Sequence, residues 1–287
     1  MNSTAVPETF KRPATPAVCY DSVMQLQVLG SGTSVPHFKR SSSAYWLETS
    51  GGSILLDCSP SSLHRMAAEG CDWASLDAIW ISHFHLDHVG GLAPFLFGTK
   101  HAPETRSRAK PLRIFGPIGL QALLRRFDEA NGYRLLEQPF PIDVIEVETL
   151  QPFEMVTGVR AVAAKTPHTT ESHAIHIQDD DNVSLVFTSD TGFAEPLAAL
   201  ARHVDLLILE CSFFKDKPIE KHLELAEAIF LIRKAAPKRA LLTHFYPEWD
   251  NVVFAEAIAR FDPHCEIIEA TDGLRIELRR DDTNSKN

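Results

Sequence analysis

Residues 83–88 read HFHLDH and directly follow the apolar run LDAIWIS, which predicts a buried strand. Three imidazoles and one carboxylate within six residues are costly at the end of a strand unless they bind something. Alternation along an extended chain points His83 and His85 to the same side, and imidazole and carboxylate groups suit Zn²⁺. Asp87 and His88 come after the strand and are free to turn toward a second ion. The segment therefore predicts a metal site.

The rest of the chain alternates short apolar runs with segments of helical spacing. In the first half, MQLQVLG, SAYWLET and SILLDC predict a meander of three strands, IDVIEVETL predicts a later strand, and SSLHRMAAEG and IGLQALLRRFDEAN predict helices. In the second half, VRAVAAKTPH, HAIHIQ, SLVFTSD and VDLLILE predict strands that precede the helix HLELAEAIFLIRKAA. Two stacked β-layers with helices outside each are expected, an α/β four-layer αββα sandwich. We expect one domain over residues 23–279, a flexible segment 1–22 and a polar tail 280–287.

Composition narrows the class of protein. A formal net charge of −10 disfavours a broad basic face for nucleic acid, because phosphate binding relies on clustered Lys and Arg. The five cysteines are scattered without a CxxC pair, which indicates buried thiols in a reducing compartment. No apolar run approaches the roughly 20 residues of a membrane helix, and the N-terminus lacks the apolar core of a signal peptide. The expectation is a cytoplasmic protein with no membrane partner.

The HxHxDH pattern resembles the signature of the metallo-β-lactamase superfamily, and later segments match its other motifs in order. The resemblance implies that His168 in KTPHTTES is the third motif ligand, Asp190 in VFTSDTG the carboxylate shared by two metals, and His244 in ALLTHFYP the last ligand. One ion would then be held by His83, His85 and His168, the other by Asp87, His88 and His244, with Asp190 shared. Two Zn²⁺ ions are expected, with Mn²⁺ or Fe left open.

Two further segments resemble the ribonuclease Z branch of that superfamily. LECSFFKDKPIEKHLELAEA carries Glu210 and then His222, which in that branch form a pair beside the leaving group. The opening LGSGTSVPHFKRSSSAY is also similar, although Lys39 and Arg40 are followed by serines where the tRNA-processing enzymes have an Arg-Asn pair after their Lys. This loop is interpreted either as a phosphate-binding turn or as a plain turn.

The resemblance implies hydrolysis of a phosphodiester by a metal-bridged hydroxide. Asp87 would orient the hydroxide, and His222, held by Glu210, would donate a proton to the leaving oxygen. The alternatives are a tRNA 3′-end processing endoribonuclease, a glyoxalase II-like or lactonase-like hydrolase of esters or thioesters, and a metal-binding protein without activity.

Substrate size depends on the interval between His168 and Asp190, which lie only 22 positions apart. Relatives that bind tRNA usually insert a long arm there, so the sequence favours a small phosphodiester and leaves RNA open. A homodimer is also left open. A basic surface could still allow tRNA to bind, but the sequence alone does not show whether the fold brings its residues together. The residues that could form it are Lys39, Arg40, Arg106, Arg108, Lys110 and Arg113.

Overall fold

A computed structural model describes residues 23–279, so the segment 1–22 and the tail 280–287 lie outside the described residues. The strands of the first sheet are β1 (Val23–Gly30), β2 (Ala44–Thr49), β3 (Gly52–Leu56), β4 (Ala78–Trp80), β5 (Leu112–Gly116), β6 (Ile142–Glu146) and β14 (Arg275–Arg279). The strands of the second sheet are β7 (Pro152–Val156), β8 (Val159–Lys165), β9 (His173–Asp179), β10 (Ser184–Phe187), β11 (Leu206–Glu210), β12 (Arg239–Thr243) and β13 (Glu266–Glu269).

The helices lie between these strands along the chain. They are α1 (Ser62–Ala68), α2 (Leu86–Val89), α3 (Leu92–His101), α4 (Leu120–Glu129), α5 (Pro196–Leu200), α6 (Leu225–Ala235) and α7 (Phe254–Ala259). Short 3₁₀ turns cover Trp73–Ser75, Pro103–Thr105, Ala130–Gly132 and Pro247–Asn251. Among the helices of residues 23–279, none combines the length and the apolar character that a membrane-spanning helix requires.

Each sheet has an antiparallel half and a parallel half. The first sheet runs in the order β14-β1-β2-β3-β4-β5-β6, with antiparallel pairs up to β3 and parallel pairs from β3 to β6. The second runs in the order β13-β12-β11-β10-β9-β8-β7 and is parallel from β10 to β13. The expected meander of the first three strands is confirmed. Parallel strands finish at one edge, so the segments that follow them are brought together there.

Alternation along the strands explains why two sheets and two helical layers pack together. In β2, Tyr45 and Leu47 join the cluster that contains Ile175 and Leu185 of the second sheet, whereas Trp46 joins the cluster that contains the helix residues of α1 and α3. Both faces of β2 are therefore buried, one against the other sheet and one against helices. The expected αββα sandwich of the α/β class is confirmed.

Helix α6 shows how local sequence fixes an outer layer. Its buried positions include Leu225, Ile229 and Ile232, which share one face at helical spacing. Glu224 and Glu227 form a reciprocal capping box at its start, satisfying backbone N–H groups that a helix leaves unpaired. This firm start matters because the segment just before it carries His222.

One strand was not foreseen from the sequence. The run IDVIEVETL was expected to be a single strand, but β6 ends at Glu146 and the chain crosses to the second sheet, where β7 begins at Pro152. Proline has no N–H to donate and is tolerated at the first residue of an edge strand, which is the position that Pro152 occupies. The turn includes Leu150 with a φ of 64°, a left-handed conformation that propensity gives no reason to expect in this residue.

The inter-sheet core predicts a large stability cost for truncation. Leu47→Ala removes a side chain that is 0% exposed and should lower the free energy of unfolding by about 2–5 kcal/mol. Ile118→Ala, at a side chain that is 69% exposed, is the matched control and should change it by less than about 0.5 kcal/mol. Urea unfolding followed by circular dichroism measures both. Equal effects would mean that the core does not lie between these sheets.

Candidate metal centre

Both sheets deliver polar side chains to one edge of the sandwich. Asp57 follows β3 and His83 follows β4 in the first sheet, while Asp190 follows β10 and His244 follows β12 in the second. The backbone is left-handed at two of these residues, with φ of 58° at Asp57 and 59° at His244, and at Ser189 just before Asp190, with φ of 52°. This conformation is strained for residues other than glycine, and residues held in it are found most often at functional sites. These sharp turns aim the side chains at one another.

The first ligand group consists of His83, His85, His168 and Asp190. One ligand atom from each lies within 4.8 Å of the others. Asp190 Oδ2 is 3.8 Å from His83 Nε2 and 3.5 Å from His168 Nε2, and His168 Nε2 is 3.0 Å from His85 Nδ1. The sequence-predicted residues of the first ion are thus brought together.

The second ligand group consists of Asp87, His88, Asp190 and His244, again with ligand atoms within 4.8 Å of one another. Asp190 Oδ1 is 3.2 Å from His88 Nε2 and 3.1 Å from His244 Nε2. Asp87 Oδ2 is 3.6 Å from each of the same two nitrogens. Asp190 therefore presents one carboxylate oxygen to each group, the arrangement expected of a shared ligand.

The donor atoms fit transition-metal ions. Among the described residues, four of them are buried without a hydrogen-bond partner: His83 Nε2, His88 Nε2, Asp190 Oδ1 and His244 Nε2. Buried polar atoms are rarely left unpaired, so these atoms point to a partner outside the chain. Ligands about 2.0–2.2 Å from a tetrahedral Zn²⁺ lie roughly 3.3–3.6 Å apart, close to the spacings in both groups. Residues from both groups can hold a metal ion.

Asp57 is a functional residue that the sequence analysis missed. Its carboxylate accepts hydrogen bonds from the backbone N–H and the hydroxyl of Ser82, both at 2.8 Å, and lies 2.7 Å from His88 Nδ1. Such a contact fixes the tautomer of a metal-binding histidine. The only signal in the sequence was an acidic residue at the end of the strand run SILLDC, which by itself indicates nothing more than a turn.

Three of the other histidines are oriented in the same way, and His85 is the exception, because its Nδ1 lies 3.0 Å from His168 Nε2. His83 Nδ1 lies 3.0 Å from the hydroxyl of Ser82, and His168 Nδ1 donates to the carbonyl of Lys221 at 2.9 Å. His244 Nδ1 lies 3.0 Å from the hydroxyl of Ser212. Because the Nδ1 of each of these three rings is engaged away from the cleft, its Nε2 is free to face it.

Burial and charge shift the pKa values of the ligands in different directions. Burial would lower the pKa of His88, but the charges of Asp190 and Asp57 outweigh it and raise that pKa well above its ordinary value, so a metal ion would have to displace the proton of this ring. Burial lowers the pKa of His83 well below its ordinary value and also lowers that of His168, so both rings are neutral. Burial alone would raise the pKa of Asp190, but the charges of His244 and His88 outweigh it and hold that pKa well below its usual range. Neutral imidazole and ionised carboxylate are the forms that ligate a metal.

Glu210 and His222 form a pair beside the second ligand group. His222 Nδ1 donates to Glu210 Oε1 at 2.9 Å, and both side chains are buried. The ring of His222 is nearly parallel to that of His244, with 5.5 Å between centroids. Burial lowers the pKa of His222, but the hydrogen bond and charge of Glu210 outweigh it, so the pKa is raised above its ordinary value. The raised pKa leaves His222 a proton to give.

The loop with Lys39 and Arg40 lies at the same edge, since the Phe245 N–H donates to the carbonyl of Ser31 at the start of the loop. Arg40 Nη1 is 2.8 Å from a carboxylate oxygen of Asp250, and Nε2 of His37 is 2.7 Å from the other. The guanidinium of Arg40 thus has an acidic neighbour and is mostly buried, and the choice between a phosphate-binding turn and a plain turn stays a prediction.

The basic surface considered for tRNA does not form. The guanidinium of Arg108 donates hydrogen bonds to backbone carbonyls, among them those of Ala74 and Leu76. Lys110 Nζ is 2.8 Å from a carboxylate oxygen of Asp77. These residues precede β5, whose parallel pairing with β4 puts them at the edge opposite His83. They are separated from Lys39 and Arg40 by the length of the sandwich.

Comparison with known proteins agrees with this geometry. Ribonuclease Z of Mycobacterium bovis is 27% identical over 245 residues, covering 78% of this chain and 87% of that protein. An uncharacterised protein of Mycobacterium tuberculosis is 30% identical over 210 residues, covering 70% of this chain and 73% of that one. The solved metallo-β-lactamase fold protein YhfI from Bacillus subtilis has a TM-score of 0.74 at 22% identity, covering 89% of this chain and 99% of that chain.

Fold and relatives define a metal-dependent hydrolase of the metallo-β-lactamase superfamily, in its ribonuclease Z-like branch. Within it, the chain belongs to the family described as the anti-Pycsar protein Apyc1, whose model matches residues 24–263. The resemblance drawn from HxHxDH is confirmed.

The shared carboxylate gives the first prediction for the site. The purified chain should hold about two transition-metal ions, and Asp190→Ala should lose bound metal and turnover because both groups lose a ligand. Asp205→Ala is the matched control, since this buried aspartate accepts from Ser184 at the opposite edge of the second sheet. Elemental analysis measures the metal content. Full metal content in Asp190→Ala would show that the bridge is misassigned.

Proposed function

We propose that the chain is a dinuclear metal-dependent phosphodiesterase whose substrate is a small phosphodiester. The observation that carries the proposal is the juxtaposition of two ligand groups around Asp190 with the Glu210–His222 pair beside them. Superfamily membership alone would not choose a phosphodiester, because the same metal pair serves lactams, thioesters and lactones. A dedicated proton donor at the cleft favours a substrate whose leaving oxygen needs a proton.

The proposed ligands are the first ligand group for one ion and the second for the other. Nitrogen and oxygen donors suit zinc, with manganese or iron as alternatives. When bound, such ions make hydroxide available near neutral pH and stabilise the negative charge that develops on phosphoryl oxygens. Asp87 is the carboxylate at the open side of the cleft, 9% exposed against 2% for Asp190, and it would orient the attacking hydroxide.

His222 is assigned the proton donor. Its Nδ1–H is committed to Glu210, so Nε2 is the atom that faces the leaving group. Hydroxide adds to phosphorus, the bond from phosphorus to the leaving oxygen breaks, and that oxygen takes the proton from His222 Nε2. Glu210 contacts no substrate atom in this scheme. It orients His222 and stabilises its charged form.

The path between His168 and Asp190 supports a small substrate. This interval is filled by β9, β10 and a tight turn in which the Asp179 N–H donates to the Val183 carbonyl, while Asp179 also accepts from the Val183 N–H. No arm leaves the described fold here to grip a distant part of an RNA. With a net charge of −10 and no basic surface joining the two edges, long-range attraction of a polyanion is weak.

Ribonuclease activity is the second candidate. It is favoured by the relatives named ribonuclease Z, whose names indicate RNA as their substrate. Ester and thioester hydrolysis is less favoured, since it does not call for Glu210 and His222. The homodimer considered from the resemblance stays a prediction.

The proton-donor role predicts a leaving-group effect. His222→Ala should lower the rate on a 3′,5′-cyclic nucleotide by about 10²–10⁴-fold, because the departing sugar alkoxide needs a proton. The deficit should be much smaller on bis(p-nitrophenyl) phosphate, whose leaving group is stable without one. His64→Ala, on the exposed face of α1, is the control. Loss of bound metal in His222→Ala would make His222 a ligand instead, and equal deficits on both substrates would make it structural.

The substrate-size proposal predicts an order of activities. In one buffer, bis(p-nitrophenyl) phosphate and cyclic nucleotides should be hydrolysed faster than precursor tRNA, a lactone or a glutathione thioester. Added salt should not weaken the favoured reactions steeply, because few cations contact the substrate. Accurate 3′ cleavage of precursor tRNA at nanomolar enzyme, lost steeply with salt, would instead establish the ribonuclease. Turnover of the lactone or thioester alone would remove phosphodiester hydrolysis altogether.

A further inference from the structure

We infer that Ser212 is a positioning residue whose single hydroxyl couples the second ligand group to the Glu210–His222 pair. The inference rests on the proposed function for its catalytic half and on the ligand role of His244 for its metal half. Ser212 follows β11 and is 0% exposed, so no solvent competes for its hydroxyl. Its hydrogen bonds must therefore be made within the protein.

The Ser212 hydroxyl can donate one hydrogen bond, and the distances to its neighbours show which of them accepts it. Ser212 Oγ lies 2.7 Å from Glu210 Oε2, which as a carboxylate can only accept, so the serine donates there. Its oxygen then accepts the Nδ1–H of His244 at 3.0 Å. His222 Nδ1 is farther from the hydroxyl, at 3.3 Å, and has a closer partner in Glu210 Oε1. The chain of donors runs from His244 to Ser212 to Glu210.

On the metal side, this bond selects the tautomer of His244. With the proton held on Nδ1, the lone pair is on Nε2, which is 3.1 Å from Asp190 Oδ1 and has no hydrogen-bond partner among the described residues. Ser212 thus does for His244 what Asp57 does for His88. Partners of this kind typically change metal affinity or activity by about 10–100-fold when removed.

On the catalytic side, the same hydroxyl completes the set of donors around Glu210. Its Oε1 accepts from the Thr191 N–H and from His222, and its Oε2 accepts from Ser212 and from the Leu223 N–H. A carboxylate has about four acceptor sites, so every one is used and the group has no freedom to rotate. Without Ser212 one site is unpaired, and Glu210 can turn and release the ring of His222.

The hydroxyl can be isolated with two variants of equal shape. Ser212→Thr keeps it and Ser212→Val removes it, while both add the same bulk. Ser212→Ala serves if the larger pair does not fold, and Ser184→Ala is the control, because it removes a buried hydroxyl beside Asp205 at the opposite edge.

The first readout is zinc retention, which needs no substrate. Zinc-loaded full-length chains are challenged with increasing amounts of a chromogenic chelator. We expect Ser212→Val and Ser212→Ala to release one of two zinc equivalents at about 10–100-fold lower chelator concentration, with Ser212→Thr and Ser184→Ala close to the native chain. Equal retention in the Thr and Val variants would overturn the link to His244.

The second readout is the rate at saturating zinc on a cyclic nucleotide and on bis(p-nitrophenyl) phosphate. Ser212→Val should lose at least about 10-fold more on the cyclic nucleotide, because only that leaving group needs His222. In the His222→Ala background this difference should vanish. A deficit equal on both substrates would overturn the link to His222. If the native chain hydrolyses neither substrate, the proposed function fails, while zinc retention still decides the link to His244.

Discussion

Asp190 carries the charge on which the whole site depends. Its carboxylate is almost completely buried, and a buried charge is costly unless it is paired. Here it has imidazole nitrogens on both sides, at 3.1–3.8 Å, contributed by both sheets. Either protons or metal ions must supply the compensating positive charge between these groups. The residues around this carboxylate follow strands of both sheets, so the site forms only where the two sheets bring those strand ends to one edge.

The local part of the site was predictable and the distant part was not. Spacing within residues 82–88 indicates a metal site without any knowledge of the fold, because neighbouring residues on a strand have fixed relative directions. His168, Asp190 and His244 could be assigned only through resemblance, since each is a single polar residue after a strand. Asp57 and Ser212 were not found even by resemblance, because their roles consist of contacts with side chains that are 31 and 32 positions away in the sequence.

The strands and helices were predicted more completely than the positions of the charged side chains on the surface. Alternation and helical spacing are averaged over many residues, so the two sheets and their helical layers emerged correctly, apart from the short edge strand that begins at Pro152 and the short helix α5. The location of a single charged residue, such as those before β5, cannot be averaged over many positions in this way. Whether Lys110 faces the cleft or the opposite edge depends on the direction of one strand and on Asp77, which neutralises it. Clusters of charge in a sequence therefore say little about a surface until strand directions are known.

The segment between β11 and α6 carries Ser212 and the Glu210–His222 pair. Glu210 closes the strand, Ser212 follows it, and His222 lies just before the capped start of α6, so both ends of the segment are fixed by regular structure. Glu210 raises the pKa of His222, which keeps the ring protonated to higher pH than an unpaired histidine. Such a ring is of use only where the departing oxygen is a poor leaving group. The proposed proton donor therefore favours, among candidate substrates, an alkyl phosphodiester such as one closed by a sugar oxygen over an ester whose leaving group needs no proton.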